Sequence, residues 1–593
     1  MVTLDSQQKK AVYAAEKSVM VLAGAGSGKT RVLIERVAHL IEHEHVSPYD
    51  IVCLTFTRKA AGEMTERLNE RIGPAAFKVE IGTIHAFALK MLKRFGEEIY
   101  FRGKHITVYS QWEEDFLLRD EAGLMGIYDG RSWTPKKKEV DAAFKGYYET
   151  GFEPDPLDPA FKLFKSFIHR CKENNSVTYG GLLIGLNLLI PHLKKYLHIK
   201  HVLCDEVQDL DGLQWSIINS IVRTFDASLF VVGDVSQAIY EWRGGKPEYL
   251  IEHEHEFEVY RLETNYRSLS DIVGAANRLI ENNELRLPLE MKPARGESYH
   301  DQIIHAPGVD SARLAQMLNQ NFGSEPNLAV LCRIHAPLKK LSGILKESRI
   351  PHAYVGDKVA LTNSEDFRRF HAFLKLVANP YDNFAFLLIR DLIGANDQYS
   401  VIRYKAAREG MSHFQWWYLN TVNLWVDWFR NANERTVYSN AVELCNLLQD
   451  DRYIKVLNFI KQWQGSQLPA VSISEYLQWL ATYDISDEVS EAKEGLQLMT
   501  VHAAKGLQWP TVIIAGMNEG ILPASMAIRN DEVEQERRLA YVAMTRAMDK
   551  LVFAIRPEKT TDSRGKEHVN PKSRFIDEAL SENRTDAPEA AAS

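Results

Sequence analysis

The sequence lacks the features that mark secreted, zinc-binding and membrane-embedded proteins. Its five cysteines include no CxxC pair, which argues against a disulfide framework and a zinc site. No apolar run approaches the roughly 20 residues that cross a bilayer, and the N-terminal segment carries charge throughout. Positive charge is also scarce, with 71 Lys and Arg against 79 Asp and Glu. We therefore expect a cytoplasmic protein that engages no membrane, and whose net charge of −8 confines any nucleic-acid site to a local groove.

What the sequence does contain is typical of a large folded protein. A single hydrophobic core stops growing at roughly 250–300 residues, so a chain of 593 residues implies several domains. Strand and helix signals alternate in two parts of the chain, which predicts an α/β fold with two parallel-sheet lobes. The predicted strands are Ser18–Ala23, 50–55, His201–Cys204, Ser228–Gly233, 328–332, 496–500, 511–515 and 551–555.

Two helical segments are predicted to interrupt these lobes. The predicted first lobe is 1–88 with 197–268, its helical insertion is 89–196, the second lobe is 269–372 with 490–580, its insertion is 373–489, and 581–593 is a disordered tail. The second insertion holds six of the eleven tryptophans, which favours a helical core over a base-stacking surface. A basic patch at Arg131 and Lys136–Lys138 is interpreted as a solvated loop, with contact to duplex DNA as the alternative.

A phosphate-binding loop is indicated at residues 23–30, between a predicted strand and a predicted helix. Glycines allow backbone N–H groups to converge on phosphate oxygens. Lys29 would neutralise the β and γ phosphates, and the Thr30 hydroxyl would hold Mg²⁺. Ala23 occupies the position at which the general pattern has glycine.

An acidic pair, Asp205 and Glu206, follows the apolar strand HVLC. Taken alone, such a pair more often belongs to a helix N-terminus or a solvated turn. Together with the phosphate loop it predicts a hydrolytic site, in which Asp205 orients Mg²⁺ and Glu206 accepts a proton from the attacking water.

The segment Asp205-Glu206-Val207-Gln208-Asp209, together with the phosphate loop, resembles the UvrD/Rep/PcrA-like superfamily 1A DNA helicases, and further motifs extend the resemblance over most of the chain. It implies two RecA-like lobes that each carry a helical insertion. It also implies ATP and Mg²⁺ as cofactors, with single-stranded DNA and its junctions with duplex DNA as partners. Movement from 3′ to 5′ is implied by the resemblance alone.

The resemblance assigns roles around the nucleotide. Gln8 would read the adenine edge, next to Asp5 in place of the usual Asn, and Gln237 would sense phosphate. Arg267 and Arg546 would be arginine fingers, and Gln508 stands where many relatives use Glu to hold the ribose. The residues expected to bind the cofactor are Gln8, Ala23, Gly24, Ala25, Gly26, Ser27, Gly28, Lys29, Thr30, Arg31, Tyr266 (stacked on adenine), Arg267, Gln508 and Arg546. Those expected to act in catalysis are Lys29, Glu206, Gln237, Arg267 and Arg546.

The resemblance also assigns DNA contacts, at Phe56, Arg58, Thr83, His85, Tyr240, Trp242, Arg243 and His502. Aromatic side chains stack on bases with about 1–3 kcal/mol each, whatever the base, and the arginines would meet phosphates. In isolation each aromatic residue would be interpreted as core and each histidine as structural. Their positions within motifs favour contact with DNA.

These residues predict an ATP-dependent DNA helicase in which the nucleotide bridges two lobes, so that hydrolysis opens and closes a cleft on a single strand. DNA repair, replication and recombination are the expected settings. Two alternatives stay open. One is a translocase that displaces proteins and separates duplexes poorly without an activator. The other is an ATP-gated DNA-binding subunit of a larger repair or anti-phage defence complex.

Overall fold

A computed structural model of the chain describes residues 4–286, 289–296, 303–321, 327–355, 361–396, 398–465, 471–481, 483, 495–561 and 567–581. The predicted disordered tail, apart from Ser581, lies outside these residues. No helix in the described ranges is long and apolar enough to span a membrane.

The described strands and helices follow one another as α/β units in two regions, with helical segments between. The strands are β1 (Ser18–Ala23), β2 (Ile51–Thr55), β3 (Glu80–Thr83), β4 (Thr107–Tyr109), β5 (Ser176–Thr178), β6 (His201–Cys204), β7 (Ser228–Gly233), β8 (Glu258–Leu262), β9 (Thr264–Asn265), β10 (Lys292–Pro293), β11 (Ile303–Ala306), β12 (Asn327–Cys332), β13 (His352–Tyr354), β14 (Gly495–Thr500), β15 (Trp509–Ala515), β16 (Ala547–Ala554), β17 (Lys559–Thr561) and β18 (Glu567–Val569). The helices are α1 (Ser6–Val12), α2 (Lys29–Glu42), α3 (Arg58–Ile72), α4 (Ile84–Phe95), α5 (Gln111–Leu124), α6 (Lys137–Thr150), α7 (Phe161–Glu173), α8 (Tyr179–Leu193), α9 (Gly212–Phe225), α10 (Glu248–Glu252), α11 (Ser270–Ile280), α12 (Ser311–Asn321), α13 (His335–Glu347), α14 (Glu365–Ala378), α15 (Asn383–Ile389), α16 (Tyr399–Glu409), α17 (His413–Asn420), α18 (Leu424–Asn431), α19 (Val437–Leu448), α20 (Ile454–Gly465), α21 (Ile473–Ala481), α22 (Ser525–Arg529), α23 (Val533–Met544) and α24 (Arg574–Leu580).

The first sheet has the order β3-β2-β6-β7-β1-β8, and every pairing in it is parallel. Its central strands are buried on both faces, as expected for a parallel sheet covered by helices. β6, β7, β1 and β8 are consecutive neighbours, so the loops at their carboxyl ends share one edge of the sheet. The predicted phosphate loop follows β1 and the acidic pair follows β6, which brings both to the edge where such folds bind ligands.

The second sheet has the order β11-β16-β15-β12-β14-β13 and is also parallel throughout. The predicted fold class, α/β with two parallel-sheet lobes, is therefore confirmed. Gln508 and Arg546 stand immediately before the neighbouring strands β15 and β16. They consequently lie together at the amino ends of these strands.

The helices of the first insertion do not all stand apart from the first lobe. α4 runs through the predicted boundary at residue 88, and it packs against α8. Leu89, Leu92 and Leu189 from these two helices share one core with Val52 and Val202 of the sheet. Both helices bury apolar faces, so part of the predicted insertion completes the core of the lobe.

The second insertion is a helical bundle with an aromatic core. Trp416, Trp417, Trp428 and Trp463 are buried in it, and Trp425 and Trp479 pack against the same core half-buried. The interpretation of these tryptophans as core is confirmed for the buried four. Trp479 also makes a contact outside the bundle, which is described below.

The two insertions contact each other through buried polar groups. The Tyr109 hydroxyl donates to Asp382 at 2.9 Å, and the Asn379 amide donates to the Thr107 hydroxyl at 2.9 Å. Phe384 from the second insertion packs into the hydrophobic core of the first. The insertions and the first lobe together enclose a cavity of about 1050 Å³.

Candidate nucleotide site and the adjoining cavity

The phosphate loop is held by backbone geometry that requires glycine at two positions. Gly26 and Gly28 have φ values of +72° and +88°, and Gly28 caps the start of α2. A Cβ on Gly26 would lie 2.8 Å from the Asn265 amide, and one on Gly28 would lie 2.9 Å from the Gln8 amide. The loop is therefore enclosed by both predicted nucleotide motifs, and its helix N-terminus is free to receive an anion.

Lys29 lies in this loop without a hydrogen bond. Its buried ammonium is among the unpartnered polar atoms of the described chain, and the nearest carboxylate oxygen, Glu206 Oε1, is 3.6 Å away. A buried cation that lacks a hydrogen-bonding partner favours an anionic ligand. The position of Lys29 thus suits the predicted phosphate contact.

The two carboxyls of the acidic pair differ in their environments. Burial and the neighbouring Glu206 carboxylate raise the pKa of Asp205. Burial also opposes ionisation of Glu206, but the ammonium groups of Lys29 and Lys505 and a hydrogen bond from Gln208 outweigh it and hold the pKa of Glu206 below its usual range. Glu206 is therefore the more acidic member of the pair.

The predicted Mg²⁺ ligands offer two oxygen atoms that form no hydrogen bond with other described residues. Asp205 accepts the Glu206 N–H through Oδ1 at 2.9 Å, and its Oδ2 makes no such bond. The Thr30 hydroxyl, in the first turn of α2, makes none either. Mg²⁺ in nucleotide sites is held by one or two such oxygens together with phosphate oxygens and water, so the residues present fit the ion.

The adenine end of the predicted site is preorganised by local hydrogen bonds. Gln8 accepts the Asp5 N–H at 3.1 Å and donates to the Ser27 carbonyl at 2.9 Å, so its side chain both caps α1 and braces the phosphate loop. The Tyr266 hydroxyl donates to Asp5 at 2.6 Å. Burial and the Asp5 carboxylate raise the pKa of Tyr266, and nearby Arg31 partly opposes them. The half-exposed Tyr266 ring is left to face a ligand.

The two predicted fingers meet at the seam between the lobes. Arg546 is 1% exposed, and its Nη2 donates to Gln237 Oε1 at 3.2 Å across the seam. Arg267 donates to Gln508 Oε1 at 2.7 Å and to the Thr545 carbonyl at 2.9 Å. Burial lowers the pKa of Arg267 to about 9 and that of Arg546 to about 10, while Glu206 opposes the shift in both. Both guanidiniums therefore lie within electrostatic reach of Glu206.

Asn265 joins the phosphate loop to the finger segment. Its amide donates to the Ala25 carbonyl at 2.7 Å, and its Oδ1 accepts the N–H groups of Arg267 and Ser268, each at 2.9 Å. The chain passes from one lobe to the other in this segment. Ser268 already contacts the second lobe, where its hydroxyl donates to the Ala547 carbonyl. Sequence reasoning gave Asn265 no role of its own.

Most of the predicted DNA contacts surround the cavity. Phe56, Thr83, His85, Trp242 and Arg243 line it. Tyr240 and His502 lie directly behind this wall. The Tyr240 ring packs 4.7 Å from Phe56, and the His502 ring lies 6.2 Å from Trp242. Burial lowers the pKa of His85 to about 3 and that of His502 to about 4, so both rings are neutral near pH 7.

Two of the predicted contacts are engaged elsewhere in this conformation. Arg58 Nη1 donates to the Trp479 carbonyl of the second insertion at 2.8 Å, and the guanidinium lies 5.4 Å from the Trp479 ring centroid. The Thr83 hydroxyl accepts the Ala86 N–H and caps α4. The contact of Arg58 therefore joins the first lobe to the second insertion.

Three residues that sequence reasoning did not select also belong to these sites. Tyr179 stacks on His85 at 4.1 Å and lines the cavity. Lys93 lines the cavity as well, and burial lowers its pKa to about 8. Lys505 crosses the seam to the acidic turn that follows β6. The sequence signal that could have found Lys505 is its position between His502 and Gln508, two residues that the resemblance assigns to DNA and to the nucleotide.

The arrangement defines a class of protein: two parallel α/β lobes with a phosphate site at the seam and an aromatic cavity beside it. The profile of the UvrD/REP helicase N-terminal domain matches residues 4–258, and that of the UvrD-like helicase C-terminal domain matches residues 260–395 and 418–557. The chain belongs to the UvrD-like helicase family.

Individual relatives are similar over nearly the whole chain. "DNA helicase II" of Escherichia coli K12 is 29% identical, over 97% of this chain and 87% of that protein. "ATP-dependent DNA helicase PcrA" of Bacillus subtilis is 28% identical, over 97% of this chain and 85% of that protein. The PcrA protein of Staphylococcus aureus is 26% identical, over 98% of this chain and 87% of that protein.

Proposed function

We propose that the chain is an ATP-dependent DNA helicase of the cytoplasm that moves 3′ to 5′ on single-stranded DNA and separates the duplex ahead of it, in DNA repair, replication or recombination. The observation that carries the proposal is the convergence of cations on the acidic turn. Lys29 from the first lobe and Arg546 beyond the seam both act electrostatically on Glu206. Cationic charge aimed at one point is what phosphoryl transfer requires of a protein.

ATP would lie with its phosphates on the loop between β1 and α2 and its adenine between Gln8 and Tyr266. Its γ-phosphate would then meet Lys29, Arg267 and Arg546. Arg546 is buried and Arg267 is half-buried, and both donate to neutral acceptors, namely carbonyl, hydroxyl and amide oxygens. Their charge is therefore available to a phosphate that develops negative charge in the transition state.

Mg²⁺, when bound through Thr30 and Asp205, would neutralise charge on the phosphate oxygens. Glu206 is the ionised carboxylate beside Lys29, and it would take the proton from the attacking water. Gln237 touches Arg546 through its side chain, so it would report the state of the γ-phosphate to the residues that follow it in the chain. Those residues include Tyr240 and Trp242.

Single-stranded DNA would occupy the cavity beside the seam. Trp242 is 61% exposed, and Arg243 lies 4.7 Å from its ring centroid, which leaves an aromatic face for a base next to a cation for a phosphate. Because Tyr240 donates to the His502 carbonyl at 3.2 Å, the strand track also spans both lobes. Opening and closing of the cleft would therefore move the two halves of the track relative to each other.

A second candidate, a translocase that needs an activator for unwinding, is favoured by the contact between Arg58 and Trp479. An arginine held by the second insertion is not free to bind a phosphate. A partner in a repair or defence complex could release it.

The test is unwinding of duplexes that carry a single-stranded tail of either polarity, with ATP hydrolysis followed in the same tubes. The proposal expects separation of the 3′-tailed duplex alone. Stimulated hydrolysis without separation would support the translocase, and separation of only the 5′-tailed duplex would contradict the proposed direction. Lys29→Ala serves as the control for hydrolysis by this site.

A further inference from the structure

The cavity proposed for the strand is bordered by three parts of the chain. Its wall includes Phe56 of the first lobe, Tyr148 of the first insertion and Leu477 of the second insertion. The first insertion is joined firmly to the first lobe, because α4 and α8 share one hydrophobic core with the strands of the sheet. Access to the cavity from the side therefore depends on how the second insertion is held.

A buried amide of the second insertion is bonded entirely to the first insertion. The Asn379 side-chain N–H groups donate to the Thr107 hydroxyl at 2.9 Å and to the carbonyls of Asn174 and Asn175 at 3.0 and 3.2 Å. A buried amide that loses its acceptors is costly, so this side chain specifies one docked arrangement of the two insertions.

Further contacts extend the interface on both sides of this amide. The buried Asp382 carboxylate accepts the Tyr109 hydroxyl, and the Phe384 ring lies in the hydrophobic core of the first insertion. In the preceding helix, α14, Lys375 forms an ion pair with the buried Glu113. Separation of the insertions would expose the apolar ring to water, which favours the docked state.

The remaining links around the cavity are covalent or lie within the same interfaces. In the chain, the second insertion lies between β13 and β14 of the second lobe, and the second lobe is joined to the first by the segment around Asn265. Arg58 of the first lobe also donates to the Trp479 carbonyl, and Ala481 packs against the core of the first lobe. The contact between the two insertions therefore completes a closed circuit around the cavity.

We propose that a strand enters this cavity only by threading of a free end, so that the substrate class is single-stranded DNA with an accessible end and a covalently closed circle is excluded. This inference rests on the proposed function, which places the strand in the cavity. A circle has no end to thread. It can enter only if the two insertions separate, and the buried contacts at Asn379 and Phe384 hold them together.

The direct test compares linear oligo-dT with the same oligonucleotide closed into a covalent circle. Binding is measured by fluorescence anisotropy, and ATP hydrolysis is measured in parallel. We expect the linear strand to bind and to stimulate hydrolysis. The circle should show neither effect over the concentration range in which the linear strand saturates.

Blocked ends provide a second test on a linear strand. Both ends of the oligo-dT carry biotin, and streptavidin is added either before or after the protein. Streptavidin that is added first should prevent binding. Streptavidin that is added second should retain the protein on the strand, so that its dissociation into excess unlabelled oligo-dT becomes slower than from a strand with open ends.

Asn379→Asp tests whether the contact between the insertions is the barrier. The new carboxylate keeps an oxygen that accepts the Tyr381 N–H, but it faces three acceptor oxygens with no N–H group to donate, so we expect the insertions to separate. This variant should bind the circle with a Kd close to that for the linear strand. Asn319→Asp, the same exchange on the exposed surface of α12, is the matched control and should exclude the circle as the wild type does.

The outcomes distinguish the inference from the proposed function. If the circle binds the wild type as tightly as the linear strand and both stimulate hydrolysis, the inference is overturned and the proposed function stands. If Asn379→Asp keeps its melting temperature and still excludes the circle, the assignment of the barrier to this contact is overturned. If linear oligo-dT neither binds nor stimulates, the proposed function fails and the inference fails with it. The two tests on the wild type do not depend on how the variant folds.

Discussion

Replacement of Glu206 by glutamine tests the hydrolytic site most selectively, because it changes charge and basicity with little change in shape. The new amide keeps an oxygen that can accept the hydrogen bond from Gln208. It loses the ability to take a proton and the attraction to Lys29 and Lys505, whose ammonium groups lie 3.6 Å from the two carboxylate oxygens. The binding surfaces for the adenine and for the strand are left intact.

The expected effect is a loss of turnover with binding retained. A positioned general base contributes about 10²–10⁴ in rate, which corresponds to about 3–5 kcal/mol of activation free energy. Turnover at saturating oligonucleotide should fall by that factor, while the affinities for a fluorescent ATP analogue and for the oligonucleotide should stay close to those of the wild type. Glu66→Gln, on the exposed face of α3, is the matched control. A comparable loss of ATP affinity would refute the reasoning and give Glu206 a structural role.

Three further predictions address other parts of the site. Lys29→Ala should abolish detectable ATP binding by the same fluorescence assay, and normal affinity would remove Lys29 from the phosphate site. Trp242→Ala should weaken binding of oligonucleotides of any sequence by about 1–3 kcal/mol in an anisotropy titration, without lowering the melting temperature, because the side chain is exposed. Burial raises the pKa of Glu114 from 4.5 to about 7, so ionisation of this carboxyl destabilises the fold progressively between those values. Glu114→Gln should therefore be more stable than the wild type as pH rises, by up to about 3 kcal/mol in the free energy of unfolding above pH 7 and by almost nothing near pH 4. Thermal unfolding measured across this pH range checks the prediction, and a gain in stability that is independent of pH would contradict it.

The strands that the sequence predicts best are those whose residues are apolar throughout. β1, β6 and β7 have the bounds expected, because both faces of a parallel sheet are covered and the strand appears as a continuous run. β8 and β11 were missed because both are half-exposed and carry charged residues or histidine among the apolar ones. The short strands β4 and β5 were missed as well. Each has only three residues, too few for a periodic signal.

The nucleotide site was more predictable than the cavity. Lys29 follows the loop after β1, and Asp205 and Glu206 directly follow β6. The local sequence pattern is therefore enough to predict where these residues lie. The contact of Arg58 with Trp479 joins residues 421 positions apart, and it depends on how an insertion docks, which no local pattern records. The contacts of Lys505 with Glu206 and Asp209 are likewise set by the closure of one lobe on the other.

Steady-state ATP turnover, measured across a titration with single-stranded oligonucleotide, tests the central claim most directly. If the cleft that holds the nucleotide and the cavity that holds the strand are mechanically joined, turnover rises severalfold and saturates at the concentration at which the oligonucleotide binds. Turnover that is unaffected by an oligonucleotide known to be bound would contradict the account.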